Sequence, residues 1–292
     1  MIESIFCPMG YMQDQLKTYC IIGDPVLYSL SPAMQNAAFA SVGLRCTYIA
    51  FRVSKGELEG SINSLRAANF AGFNITIPHK MAALAYMDEL DYAAKKAYAV
   101  NTVHNIEGKL IGYNTDMYGF IEPLHKRNIV FEGMTILLLG AGGAAHAIIA
   151  ALSAEKGISR IIIANRSQER ANELAKIGST LGLECEIENI DNIQAIARKS
   201  TLIINTIPQA AISTESTLDY KYIDKGSVVY DIVYKPVITP LLSNAKKAGA
   251  EIVFGYEMLL EQAAKSFEIW TGIPAPRDTM KKTLFGEFDE PR

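Results

Sequence analysis

Cysteine is scarce and unpatterned in this sequence. Its four cysteines, Cys7, Cys20, Cys46 and Cys185, include no C-x-x-C pair, which removes the usual signatures of a zinc site or a dithiol redox centre. Cys20 and Cys46 stand in apolar, strand-like runs and read as small core residues, so a reducing compartment fits best. Histidine is equally sparse. His79, His104, His125 and His146 never pair at ligand spacing, and no metal is expected. A cationic excess is missing too: lysine and arginine total 28 against 31 acidic residues, a formal net charge of -3, so no basic field invites nucleic acid. No apolar run approaches the roughly 20 residues that a membrane helix requires. Glu3 and Asp14 interrupt the opening stretch, which argues against a signal peptide. A cytoplasmic protein with no nucleic-acid or membrane partner is expected.

What is present is a globular chain of 292 residues, 49% hydrophobic and 20% charged, long enough for about two domains. The first 17 or so residues carry no pattern. Strand and helix signals then alternate, the signature of parallel sheets. Strands are expected over Thr18–Gly23, Thr47–Val53 and Phe73–Ile77, with helices opening at Ser31-Pro32 and at Ser54, where Glu57 has capping-box spacing. A helix is expected over His79–Asp91, a hairpin over Val100–Tyr113 turning at Glu107-Gly108, and a crossing helix over Met117–Asn128. Beyond it Thr135–Leu139 is wholly apolar, as a strand buried on both faces should be. Further strands are expected at Arg160–Ala164, Thr201–Thr206, Val228–Val233 and Glu251–Phe254, with a helix over Ser167–Leu181 and another over Tyr256–Thr271 after Gly255. The fold class is α/β, with a Rossmann-type doubly wound parallel sheet in the second unit.

Two groups of residues carry chemistry. The turn Gly140-Ala141-Gly142-Gly143-Ala144-Ala145 follows a strand and opens a helix. It fits a dinucleotide fingerprint, whose glycines allow a tight turn and a close backbone approach to pyrophosphate. The alternative is a glycine-rich structural turn. The next strand ends Ala164-Asn165-Arg166-Ser167, with Arg170 a helical turn on and no acid to hold ribose hydroxyls. Guanidiniums and a hydroxyl suit a 2′-phosphate, so NADP is favoured over NAD, unless both arginines are merely solvated helix-start charges. Upstream, Lys80 and Asp116 each stand where a strand gives way to a helix. Such a pair can pass a proton to and from a substrate oxygen, although by spacing alone it reads equally as a salt bridge. A helix start at Lys80 would disfavour its charged form. Ser29, Ser31, Asn74, Thr76, Asn101 and Thr115 fall at neighbouring strand ends or turns. Singly each is a cap; together they suit a small polyhydroxylated ligand.

These motifs resemble those of the shikimate dehydrogenase family, and the likeness runs from about Tyr19 to Gly272. Ser29-Leu30-Ser31-Pro32 resembles its S-x-S-P segment, and Asn74-Ile-Thr76-Ile-Pro78-His-Lys80 its N-V-T-x-P-x-K motif. Ala99-Val100-Asn101-Thr102 and Asn114-Thr115-Asp116 resemble the segments with a substrate-binding asparagine and the catalytic aspartate. Asn165-Arg166-Ser167 with Arg170 resembles the NADP element, and Asp231-Ile-Val-Tyr234 and Gly255–Gln262 the late motifs. The resemblance implies catalytic Lys80 and Asp116. It implies substrate contacts from Ser29, Ser31, Asn74, Thr76, Asn101, Tyr234 and Gln262. Cofactor contacts are implied for Gly140, Ala141, Gly142, Gly143, Ala144, Asn165, Arg166, Ser167, Arg170, Gly255 and Met258. It further implies a substrate domain of residues 1–116 completed by the C-terminal helices of 255–292, an NADP-binding domain of residues 117–254, and a monomer or homodimer. The implied reaction is NADPH-dependent reduction of 3-dehydroshikimate to shikimate. A quinate-accepting NAD branch and a non-catalytic ligand sensor are the alternatives. The chain departs from the pattern at Gln35, where histidine is frequent, at His146, where arginine is frequent, and over Asn205–Gln209, which replaces N-A-T-x-x-G-M.

Overall fold

The computed structural model describes residues 16–208 and 218–289. The expectation of an irregular start falls almost wholly outside the described residues, as does Gln209. The first unit comprises β1 (Lys17–Gly23), α1 (Ser31–Ser41), β2 (Cys46–Arg52), α2 (Leu58–Ala67), β3 (Gly72–Ile75), β4 (Glu89–Leu90), α3 (Tyr92–Ala97), β5 (Thr102–Ile106) and β6 (Lys109–Tyr113). Helix α4 (Asp116–His125) leads to the second unit. There follow β7 (Thr135–Leu139), α5 (Gly143–Leu152), β8 (Arg160–Ala164), α6 (Gln168–Thr180), β9 (Cys185–Glu188), α7 (Ile193–Ala197), β10 (Leu202–Asn205), β11 (Val228–Asp231), α8 (Pro240–Ala248) and β12 (Glu251–Phe254). Helices α9 (Gly255–Thr271) and α10 (Arg277–Asp289) close the chain.

The strands form two six-stranded sheets, ordered β2-β1-β3-β5-β6-β4 and β12-β11-β10-β7-β8-β9. Every pairing in the second sheet is parallel, and its order is that of a doubly wound dinucleotide-binding sheet. Its strands alternate faces. Ile136, Leu138, Ile161 and Ile163 pack against α5 and α6, while Leu137, Leu139, Ile162 and Ile203 pack on the opposite side with Ile193 and Leu242. The first sheet is mixed, not purely parallel, because β5 runs antiparallel to both its neighbours, β3 and β6.

Helix α9 returns to complete the first core. Tyr19, Phe39, Phe267 and Trp270 stack in one aromatic group, and Trp270 Nε1 donates to Val103 O at 2.9 Å. Truncating a buried tryptophan of this kind typically costs about 3–5 kcal/mol, so the first sheet depends on residues from the far end of the chain.

The helix expected over His79–Asp91 is not formed. His79 Nε2 meets Val53 O at 2.7 Å, and the backbone makes only a short 3-10 turn at Ala82–Tyr86, where Ala83 alone is buried. The chain must then extend so that β4 can pair with β6. Lys80 therefore does not begin an α-helix, and the dipole argument for it lapses. Helix α3, unexpected from apolar spacing, is set by Asp91, whose carboxylate accepts from Ala94 N at 2.6 Å, and by a left-handed Tyr98 at its C-terminus. Elements β9, α7 and α8 likewise have no counterpart in the apolar spacing, whereas α10 is the second of the C-terminal helices that the resemblance implies.

Candidate active site

Lys80 and Asp116 come together. Lys80 Nζ lies 2.6 Å from Asp116 Oδ2, with side chains 17% and 5% exposed. Lys80 O accepts from Val100 N at 2.8 Å, which locks the lysine's backbone to the chain leading into Asn101. Asp116 is the first residue of α4, where a carboxylate is favoured by the helix dipole. A β-carbon built on Gly143 would sit 3.5 Å from Lys80 Cβ, so the glycine turn of the second unit lies against the stem of the lysine.

Asn101 orients this pair. Its Oδ1 accepts Thr115 N at 2.7 Å, which leaves Nδ2 to face Asp116 Oδ1 at 2.8 Å and Thr115 Oγ1 at 2.9 Å. Both carboxylate oxygens of Asp116 are thus engaged. Asn74 is held inside a polar cluster: its Oδ1 accepts from Tyr48 OH at 2.6 Å and its Nδ2 faces Asn101 O, Thr102 Oγ1 and Ser266 Oγ. Its amide is committed to the protein on every side.

The other residues expected to meet substrate come from separate segments of the chain. Ser29 Oγ accepts from Ser31 N at 3.2 Å, and Ser31 is buried in the first turn of α1. Thr76 is half-buried just past β3, and Tyr234 is half-buried beyond β11, where burial pushes its phenol up from the ordinary range. Gln262 lies on α9 with Nε2 donating to Leu259 O. Helices α4 and α9 cross closely at Gly119, where a β-carbon would come within 2.7 Å of Gln262 Cβ and 2.9 Å of Met258 O. That crossing keeps Asp116 and Gln262 on adjoining elements.

At the nucleotide end Gly140 adopts φ +101, and a β-carbon there would strike Thr206 Oγ1, which donates to Leu139 O. Only glycine suits both demands. Gly142 precedes α5 with open space beside it, so the amides of Gly143, Ala144 and the rest of the first turn are the natural anion cradle. Ala141 is buried against the core. Asn165 Nδ2 donates to Ser167 O, and Ser167 Oγ caps α6 by accepting Arg170 N. Arg166 and Arg170 are exposed at the end of β8. This donor set fits a dinucleotide bearing a 2′-phosphate. Gly255 lies under the carbonyls of Ile232 and Val233, within 2.5 Å of where a β-carbon would be, and Met258 is buried one turn on.

Three residues that the sequence names without a place in the site contribute to its frame. Asp231, wholly buried, accepts from Asn205 Nδ2, Val233 N and Thr239 Oγ1 and so ties the β10 and β11 loops to α8. Burial pushes its carboxyl up, against the pull of those three donors. Its place at a strand end was the available signal. Gln35 ties α1 to α9 through Ala263 O at 2.9 Å. His146 is buried where α5 packs on α3, and burial lowers its tendency to charge, against the opposing pulls of Glu173 and the Ala97 backbone.

A doubly wound dinucleotide sheet set against a second sheet, with a lysine–aspartate pair at their junction, defines a two-unit nicotinamide-dependent oxidoreductase. The profile for the shikimate dehydrogenase substrate binding domain matches residues 21–103, that for shikimate/quinate 5-dehydrogenase residues 124–246, and that for the shikimate 5'-dehydrogenase C-terminal domain residues 255–285. The shikimate dehydrogenase (NADP(+)) of Nitrosopumilus maritimus is 46% identical over 272 residues, 93% of this chain and 99% of that one. A crystal structure of a shikimate dehydrogenase in complex with NADP+ superposes with a TM-score of 0.85 at 35% identity, covering 94% of this chain and 96% of the other. That of shikimate 5-dehydrogenase from Thermus thermophilus, in complex with NADP(H) and shikimate, gives 0.80 at 33% identity, covering 93% and 99%. The chain belongs to the shikimate dehydrogenase family.

Proposed function

We propose that the protein is an NADP-dependent shikimate dehydrogenase that interconverts 3-dehydroshikimate and shikimate. The observation that carries this reading is the Lys80–Asp116 pair at 2.6 Å, packed beside the glycine turn. Its membership of a family whose relatives are named for NADP and shikimate supports the same substrate and cofactor. Residues 1–116 with 255–292 form the substrate domain in this reading, and residues 117–254 the NADP-binding domain.

The chemistry supplied by bound NADPH is hydride transfer to the C3 carbonyl carbon. Lys80 faces the carbonyl oxygen and stabilises or protonates it as negative charge develops. Asp116 holds the ammonium in place, and Asn101 holds Asp116. Ser29 and Ser31 bind the substrate carboxylate, while Thr76, Asn101, Tyr234 and Gln262 meet its hydroxyls. Asn74 supports the site through the buried cluster around Thr102. The first-turn amides of α5 hold the pyrophosphate, and Arg166, Ser167 and Arg170 the 2′-phosphate. Gly255, pressed under the Ile232 and Val233 carbonyls, and Met258 lie beside the nicotinamide. A cytoplasmic monomer or homodimer completes the proposal.

The test is nicotinamide absorbance on mixing the protein with shikimate or quinate, each with NADP or NAD. Turnover confined to shikimate with NADP is expected. Preference for quinate with NAD would move the chain to the quinate branch, and silence in all four mixtures from folded protein would sink the enzyme reading.

A further inference from the structure

Ser266 is fully buried on α9, one turn beyond Gln262. Its Oγ lies 2.8 Å from Thr102 Oγ1, 3.1 Å from Thr115 Oγ1 and 3.2 Å from Asn74 Nδ2, and it donates to Gln262 O at 3.0 Å. These partners come from β3, β5, the turn before α4, and α9 itself. A serine in a helix that merely returns its proton to the preceding turn needs none of the other three.

Proton counting gives the cluster a direction. A hydroxyl carries one proton and two lone pairs. The Ser266 proton goes to the helix carbonyl, so toward the cluster Ser266 only accepts. Asn101 has one possible orientation, because its Oδ1 takes the Thr115 amide at 2.7 Å. Its Nδ2 therefore donates to Asp116 Oδ1 and to Thr115 Oγ1. Having accepted there, the Thr115 hydroxyl must donate onward. Ser266 Oγ at 3.1 Å is the nearest of its acceptors; Thr102 Oγ1, at 3.2 Å, already takes a proton from Asn74 Nδ2, and Asn101 Oδ1, at 3.3 Å, already serves the Thr115 amide. Ser266 thus takes the Thr115 proton and passes its own to the Gln262 carbonyl, which links Asn101, the donor to Asp116, to α9. Without it, the Thr115 hydroxyl must turn its proton to Thr102 or back to Asn101 Oδ1, and the asparagine that orients Asp116 shifts with it.

We propose that Ser266 is a positioning residue for Asp116 and Lys80, acting through Thr115 and Asn101, and that it couples the seating of α9, which carries Gln262, to the orientation of the carboxylate. The inference rests on the functional reading above for its catalytic consequence, and on geometry alone for its effect on Lys80.

The experiment compares the whole protein with Ser266→Ala, Thr115→Val and the double variant, at a temperature where circular dichroism finds all four folded. Two readouts are taken: kcat and KM for shikimate with NADP, and the rate at which trinitrobenzenesulfonate labels Lys80, followed by peptide mass spectrometry. Ser266→Ala is expected to lower kcat about tenfold, the effect of one misplaced hydrogen bond to a charged centre, with KM for NADP unchanged. Lys80 labelling should quicken several-fold, because the ammonium is held less firmly. The double variant should lose no more than the worse single variant, since both act along one route. A lower Tm with wild-type kcat and wild-type labelling would mean that Ser266 is only a packing residue and would overturn the proposal. Additive losses would overturn the route through Thr115. Should the wild type fail to oxidise shikimate, the functional reading falls, and the labelling rates alone decide the role of Ser266.

Discussion

The cofactor preference yields the sharpest prediction, because Arg166 and Arg170 are exposed just beyond β8 and Asn165, Arg166 and Ser167, directly after the strand, include no acid to recruit NAD. The perturbation is Arg166→Ala with Arg170→Ala. A hydrogen bond to a charged group contributes about 1.5–3 kcal/mol. Both arginines are open to solvent, where screening weakens the pairing, so the lower end applies. One lost contact then corresponds to about tenfold in kcat/KM for NADP, and the double variant to about a hundredfold. NAD lacks the 2′-phosphate and should be used as before, so the NADP-to-NAD ratio falls by the whole factor. Neither side chain packs into a core, so Tm should move by less than about 2 °C. The assay is initial-rate kinetics with shikimate and each cofactor, at low and at high salt; the wild-type advantage for NADP should shrink as salt rises. An unchanged ratio in the double variant, with NADP still preferred, would refute the assignment of the 2′-phosphate to this strand end.

Other outcomes follow from the same geometry. Lys80→Ala should lower kcat by about a hundredfold or more while shikimate still protects the folded protein in a thermal-shift assay; unchanged kcat would remove the lysine from the chemistry. Gly119→Ala places a methyl against Gln262 and Met258 O, and overpacking of about 1–3 kcal/mol should appear both in Tm and in kcat, because Asp116 and Gln262 ride on the two helices forced apart. Glu261 is buried and holds both Lys126 and Arg277, so Glu261→Ala should cost about 1.5–3 kcal/mol at low salt and measurably less at high salt. His146 titrates below its ordinary value of 6.5 because it is buried. A base with a lowered folded pKa contributes stability above its unfolded value and loses it as pH falls through the folded one. Chemical denaturation should therefore show the wild type losing ground to His146→Gln as pH drops below about 6.5, and a pH-independent difference would contradict the burial argument.

How far the sequence disclosed this molecule depended on the range of each signal. Thr135–Leu139 announced a central strand because burial on both faces leaves no polar position after Thr135 to blur the run. Lys80 and Asp116 were legible as ionisable groups at element boundaries, and Ser54 with Glu57 as a capping box, which the structure forms. The misreading over His79–Asp91 arose because its apolar residues suit a helix by spacing, whereas His79 and the short β4 strand spend that segment on contacts with Val53 and β6. Short elements such as α7 and β4 carry too few residues for any period to register. Asn74 illustrates the hardest case. Its neighbours in sequence mark it as a site residue, yet its amide is taken up by Tyr48, Thr102 and Ser266, the last of them 192 positions away. No local pattern encodes such a meeting.

The paired passage of the chain through α4 and α9 has an evolutionary and engineering consequence. The chain leaves the first unit along one helix and comes back along its neighbour, and Arg127 clasps Glu257 at 2.8 Å where the two routes run side by side. The strands of the second sheet hang between these two points as a cassette whose ends are already adjacent. A host with such a doorway need not reorganise when the cassette is exchanged, provided the replacement also begins and ends at neighbouring points. The nucleotide-binding sheet could thus be swapped for one of different cofactor taste, or bridged by a short glycine linker to leave the first unit standing alone with α9 in place.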